Sequence, residues 1–242
     1  MGTYRQTARV AGLLYLIVVA AGIFSLGYVP GQTLVPGDAA ATAERILAHE
    51  TLYRLGIVAG AACYVAFLLL PLALYRLLAP THRTAAVLMV ALAAASVPLS
   101  FANLGHKLDA LSLLGGGDTL QALTREQLQA QAMAALDAYR NGVLLSKVFW
   151  GLWLLPFGWL VFKSGLLPRV LGVLLMAGCF GYLIDFAGRA LFPGYAQTAA
   201  AGYVTLPASI GEIGTCLWLL IVGAREPGRR PGEGAACVAQ GA

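Results

Sequence analysis

The sequence predicts an all-α, polytopic membrane protein with six transmembrane helices, and three observations carry that prediction. Only 11% of the 242 residues are charged and 59% are hydrophobic, whereas soluble domains carry about 25% charged residues. The mean hydropathy is +0.76. Apolar runs of about 20 residues, the length needed to cross hydrocarbon, recur along the chain. Their continuity favours helices over barrel strands, which alternate over about ten residues.

The predicted spans are 10–29, 52–78, 84–104, 141–162, 169–191 and 202–222, together forming one domain over 1–223. Arg5 and Arg9 precede the first run in the manner of a signal peptide, but its length and the spans that follow predict a retained helix. The second span is long enough to tilt, and Gly56 and Gly60 give it a GxxxG close-packing patch. The turns after the second and fourth spans, "RLLAPTHR" and "KSGLLPR", are short and basic, and they set their flanking helices antiparallel. The opposite connections are longer. "PGDAAATAERILAHET" offers Asp38 as an N-cap, and "LTREQLQAQAMAALDAYR" opens with a Thr124–Gln127 capping-box pattern and carries a stripe of Leu128, Ala132, Ala135 and Leu136. Both read as short amphipathic helices on the outer face. Prolines 71, 98, 156 and 207 interrupt four spans, where they kink helices or are simply tolerated. The Pro/Gly-rich segment 224–242 reads as a disordered cytoplasmic tail.

Lys/Arg bias sets the predicted orientation. Arg5, Arg9, Arg76, Arg83, Lys163, Arg169, Arg225, Arg229 and Arg230 fall on one side, against Arg45, Lys107 and Arg125 among many acids on the other. Both ends of the chain are therefore expected in the cytoplasm, N-in and C-in. The net charge of +5 has no basic block or aromatic-interleaved patch, so no nucleic-acid partner is expected. Cys63, Cys179, Cys216 and Cys237 form no C-x-x-C pair and join no histidine cluster, so neither a metal nor a disulfide framework is expected.

Four stretches carry a family resemblance: "FWGLWLLPFGWLVFKSGLLPRVLGVLLMAGCFGYLID", "RVAGLLYLIVVAAGIFS", "GDAAATAERILAHETLYRLG" and "LALYRLLAPTHRTAAVL". Together they resemble a bacterial multi-pass family known only as domain of unknown function 4386. The resemblance covers most of the chain outside the tail. The family has an asparagine where this chain has Ala43 or Glu44. The resemblance implies a six-helix bacterial inner-membrane protein and brings no substrate, reaction or site residue with it.

Candidate functional residues come from charges placed within the spans, because a charge in hydrocarbon costs about 2.5–3.5 kcal/mol and turns inward to pair. At ~1.5 Å per residue, Asp185 stands ~24 Å up the fifth helix, Glu212 ~15 Å below the outer end of the sixth, and Lys147 ~9 Å down the fourth. Arg189 shares a face with Asp185 at i, i+4, so an ion pair within the helix explains both without a ligand. Glu212 has only Ser209 and Thr215 as polar neighbours on its own helix, so its partner must come from another; Lys147 or Arg54 could serve. Asn103, His106, Lys107 and Asp109 gather at the outer end of the third span, and Arg54 and Arg140 near the outer ends of the second and fourth.

No H-E-x-x-H, G-x-S-x-G or Walker A motif and no paired haem histidines occur, so no cofactor is expected and a non-enzyme is favoured over an intramembrane hydrolase. The leading expectation is a polar pocket in the outer half, lined by Asp185, Arg189, Glu212, Lys147, Arg54 and Asn103. It would bind or move a small polar or amphipathic solute, with protons coupled through Glu212. The alternative is a non-catalytic scaffold or accessory subunit. The lipid bilayer is the expected partner in either case.

Overall fold

The computed structural model describes residues 2–116 and 122–224, with side chains from Tyr4 onward. The tail from Arg225, with Cys237, and the acidic residue Asp118 lie outside the described residues. Among the described residues all regular structure is helical. The first span begins as α1 (Gly2–Gly22), passes through a π-helical turn over Ile23–Tyr28, and ends as α2 (Val29–Thr33). There follow α3 (Ala39–Ala48), α4 (Glu50–Leu78), α5 (Arg83–Gly115), α6 (Arg125–Leu152), α7 (Leu154–Ser164), α8 (Arg169–Leu191), α9 (Ala199–Tyr203) and α10 (Leu206–Ile221). Six continuous or near-continuous helices are long and apolar enough to cross a membrane. Large apolar side chains such as Val10, Leu55, Val170 and Ile210 point outward, as a lipid-facing surface requires.

Three spans are much longer than the hydropathy predicts, the first running over Tyr4–Thr33. α5 continues past Leu104 to Gly115 and stops only where Gly116 takes a left-handed φ of 58°. α6 starts at Arg125, where Thr124 and Gln127 complete both halves of the capping box. The second amphipathic stretch is thus the upper part of the fourth span and not a separate helix. Nothing between Arg125 and Leu152 breaks the helical hydrogen bonding, so the helix runs on through the change from polar to apolar sequence. α3 is separate: Asp38 caps it by accepting from the Ala41 N–H at 2.8 Å. Its buried face, with Ile46 fully enclosed, closes a cluster formed with Val29, Tyr53, Ala110 and Leu136.

The prolines differ in effect. Pro71 and Pro98 lie within unbroken helices. Pro156 and Pro207 sit in the first turns of α7 and α10, directly after the breaks at Trp153 and at Val204–Thr205. A first-turn proline gives up an N–H that would lack a partner anyway, which is why these helices restart there.

The spans form a closed ring, each packing on its neighbour in sequence, with α10 returning to α1. The near end, where Arg5 meets Gly223, has a solid centre. Trp153 and, on α7, Leu154, Phe157 and Leu160 fill the ring, all at 0% exposure. Trp153 stacks on Phe157 and meets Phe67 edge-on. Glycines bring the helices together. A Cβ on Gly172 would lie 2.6 Å from the Gly158 carbonyl, and one on Gly158 the same distance from the Gly172 carbonyl. α1 and α10 close up at Gly12, where a Cβ would stand 2.8 Å from the Leu220 nitrogen.

This packing predicts that Gly172→Val destabilises the detergent-solubilised protein by about 1–3 kcal/mol through overpacking, read as a lower unfolding temperature. Gly105→Ala, where an added Cβ meets nothing within 4 Å, leaves that temperature unchanged or slightly higher.

Candidate functional site

Asp185 is the most deeply buried carboxylate among the described residues, at 1% exposure. Two cations clamp it: Lys147 Nζ from α6 at 2.5 Å from Oδ2, and Arg189 Nε, one turn along α8, at 2.9 Å from Oδ1. Charge-assisted hydrogen bonds on both oxygens offset a desolvation cost of several kcal/mol. Gly188 leaves room beside this clamp for the ring of Tyr195.

The other candidate residues spread out. Glu212 is half-buried and accepts two long hydrogen bonds, both at 3.4 Å, from the hydroxyls of Tyr15 on α1 and Tyr182 on α8. Neither Lys147 nor Arg54 is its partner. Arg54 pairs instead with Glu50 on the exposed face of α4 at 2.7 Å. Asn103 is buried between α5 and α6, donating from Nδ2 to the Tyr139 carbonyl at 2.9 Å. Its carboxamide occupies the space a side chain at Gly142 would need. His106 and Asp109 face each other on the exposed side of α5.

Lys107 is the residue that sequence reasoning left out of the site. It is 3% exposed, and among the described residues no carboxylate lies within 4 Å of its ammonium. Nζ donates to the Ser25 carbonyl at 3.2 Å and lies 4.6 Å from the centre of the Tyr139 ring. The π turn explains why that carbonyl is free. The Val29 N–H reaches back five residues to the Phe24 carbonyl. By the same step the next residue would bond Ser25, but it is Pro30, which has no N–H. Gly56 and Gly60 of α4 let the turn approach, receiving Val29 and Ser25 respectively. The signal in the sequence was a proline five residues after Ser25 in an apolar helix, set against a GxxxG.

Of these residues Glu212, Lys107, Lys147 and Arg189 border three adjoining cavities, whose linings include none of Asp185, Asn103 and Arg54. The deepest, about 210 Å³, is largely apolar, with Tyr15, Val19, Trp153 and Glu212 in its wall. It shares Leu26, Trp150 and Tyr182 with a middle cavity of about 450 Å³ that reaches Tyr53, Lys107 and Tyr139. The middle cavity shares Arg140, Val143 and Lys147 with an outermost one of about 640 Å³, bounded by Arg189 and the segment 192–197. The result is a crevice descending from the far end. Taking ~1.5 Å per residue from the near end of each helix, Lys107 and Arg140 stand at ~36 Å, Lys147 and Asp185 at ~24 Å and Glu212 at ~14 Å. Among the described residues no group of three His, Cys, Asp or Glu side chains gathers to hold a metal ion. Cys63, Cys179 and Cys216 are buried, free thiols.

The family model described as "Domain of unknown function (DUF4386)" matches residues 10–223, and the chain belongs to that family. It is 38% identical over 88 residues to an uncharacterized protein of Archaeoglobus fulgidus, a match covering 36% of this chain and 50% of that protein. The chain thus spans about half the length of this relative. No solved structure matches.

Asp185→Asn removes the charge that holds Lys147 and Arg189 together and is expected to cost about 3–5 kcal/mol, as breaking a buried pair does. Adding Lys147→Met to it should recover part of that loss. A double-mutant cycle on unfolding in detergent checks the coupling.

Proposed function

We propose that this multi-pass protein binds, and in doing so carries or presents, a small amphipathic solute in the crevice at the far end of the bundle. The observation that supports this most directly is the run of three adjoining cavities, with charged groups at the mouth and an apolar chamber beneath. Such a pocket, apolar with a few convergent polar groups, is the usual form of a small-molecule site. A scaffold would need no such space between its helices. The basic near-end turns favour a cytoplasmic near end, in the bacterial inner membrane, so the mouth faces outward. Residues of the π turn and Trp153, where two helices depart from regular α geometry, border the crevice. Glu212 sits at the foot of the chamber with two phenols as its hydrogen-bond partners among the described residues, which suits it to take up or release a proton as the solute binds.

The test is native mass spectrometry of the chain purified from membranes and released from mild detergent. The wild type should retain one amphipathic molecule per chain. Val143→Trp, which fills the passage between the middle and outer cavities, should lose it. Retention by the filled variant would put the molecule elsewhere on the bundle and end this reading. Glu212→Gln should fold with an unchanged unfolding temperature yet alter the affinity or its dependence on pH. Failure only to accumulate would make the residue structural.

A further inference from the structure

We infer that the solute is an anionic amphipath taken from the bilayer, a single long apolar chain with a carboxylate or phosphate head, and that Lys107 is the residue that selects the head. This rests on the solute-binding reading above and names its ligand class.

The charge around the upper crevice is unbalanced. Lys107, Arg140, Lys147 and Arg189 line its two outer cavities. The carboxylates that answer them are Asp137, beside Arg140, and Asp185, between Lys147 and Arg189. Lys107 has neither. An ammonium presents three donors, and here one reaches a carbonyl while a tyrosine ring covers another side. A buried cation held by a dipole and a ring lacks the opposite charge that offsets desolvation. Because Lys107 also borders the middle cavity, an anion lodged there would supply it.

Depth and access point to a lipid-like source. With a hydrocarbon core of about 30 Å, the ~36 Å level of Lys107 and Arg140 is that of the headgroups, while the Glu212 chamber lies at acyl depth. The chamber also opens sideways. α1 and α10 touch at Gly12 and Leu220, but farther up Ile23 and Leu26 on one side, and Ser209 and Ile213 on the other, are exposed and border the cavity. A chain can enter between them without leaving the apolar phase. A cationic amphipath would instead need a carboxylate at headgroup level, and the acid in the cavity walls is Glu212, at the foot.

The experiment titrates the full chain in mild detergent with oleate, oleyl alcohol, oleylamine, and with acetate and inorganic phosphate as heads without a chain, read by native mass spectrometry. Oleate should bind about tenfold or more tighter than the alcohol, the difference expected of a charge-assisted contact. Acetate and phosphate should bind far more weakly. Lys107→Gln keeps a donor for the Ser25 carbonyl but no charge, and should bring the oleate-to-alcohol ratio down toward one. Lys107→Arg should keep the preference. If Lys107→Gln does not fold, Val143→Glu, which puts a carboxylate in the wall of the cavity that Lys107 borders, should bring the ratio down, and an unchanged ratio there would overturn the assignment. Equal binding of the three long-chain probes, or tightest binding of the amine, overturns the anionic class and leaves the solute-binding reading standing. Tight, Lys107-dependent binding of acetate or phosphate alone overturns the bilayer source. Binding of none of the long-chain probes brings down both readings.

Discussion

Hydrocarbon offers no hydrogen bonds, so every charge and every carbonyl freed inside this bundle must find its partner within the bundle. That constraint accounts for most of its polar contacts. Asp185 is tolerated because two cations from two helices reach it. The Ser25 carbonyl is tolerated because Lys107 replaces the N–H that Pro30 cannot give. Asn103 bonds the Tyr139 carbonyl, and Ser146 bonds the Gly142 carbonyl within the same stretch of α6.

The same constraint divides the bundle into two halves. At the near end the helices approach at glycines, and α7 fills the ring with aromatic and aliphatic side chains. The side chains that fill it carry no charge, and the packing is closed. At the far end the helices leave adjoining cavities between them, bordered by Lys107, Arg140, Lys147 and Arg189. The crevice ends where the side chains of Trp153 and α7 fill the ring, and Pro156 lies at that place in the sequence.

Much of the architecture was legible. Apolar run length is enough to find six spans, because a bilayer imposes it directly. The i, i+4 spacing of Asp185 and Arg189 is enough to pair them, and Asp38 and Thr124 announce their caps. The span limits were not legible, because hydropathy reports where lipid ends and a helix ends only at a cap or a left-handed glycine such as Gly116. The environment of Glu212 was also hidden. Its phenol partners lie 197 and 30 residues away, beyond any spacing along one helix. Arg54 looks like a pocket residue until its rotation on α4 is known, and that rotation points it at Glu50. Lys107 looked like one more charge at a helix end because its burial depends on α5 running on for two further turns.

Asp185 and Lys107 carry opposite lessons about buried charge. Asp185 has a cation on each oxygen, so its place in the membrane is explained by structure alone, and it would be held the same way in a protein that bound nothing. Lys107 has a dipole and an aromatic face. A bundle selected only for stability could replace it with a neutral donor such as glutamine, which could still bond the Ser25 carbonyl and would avoid burying a charge. Retaining an ammonium there makes physical sense if something negative visits the space beside it. The paired acid accounts for its own place in the bundle, and the cation without a carboxylate among the described residues is the observation on which the proposed anionic ligand rests.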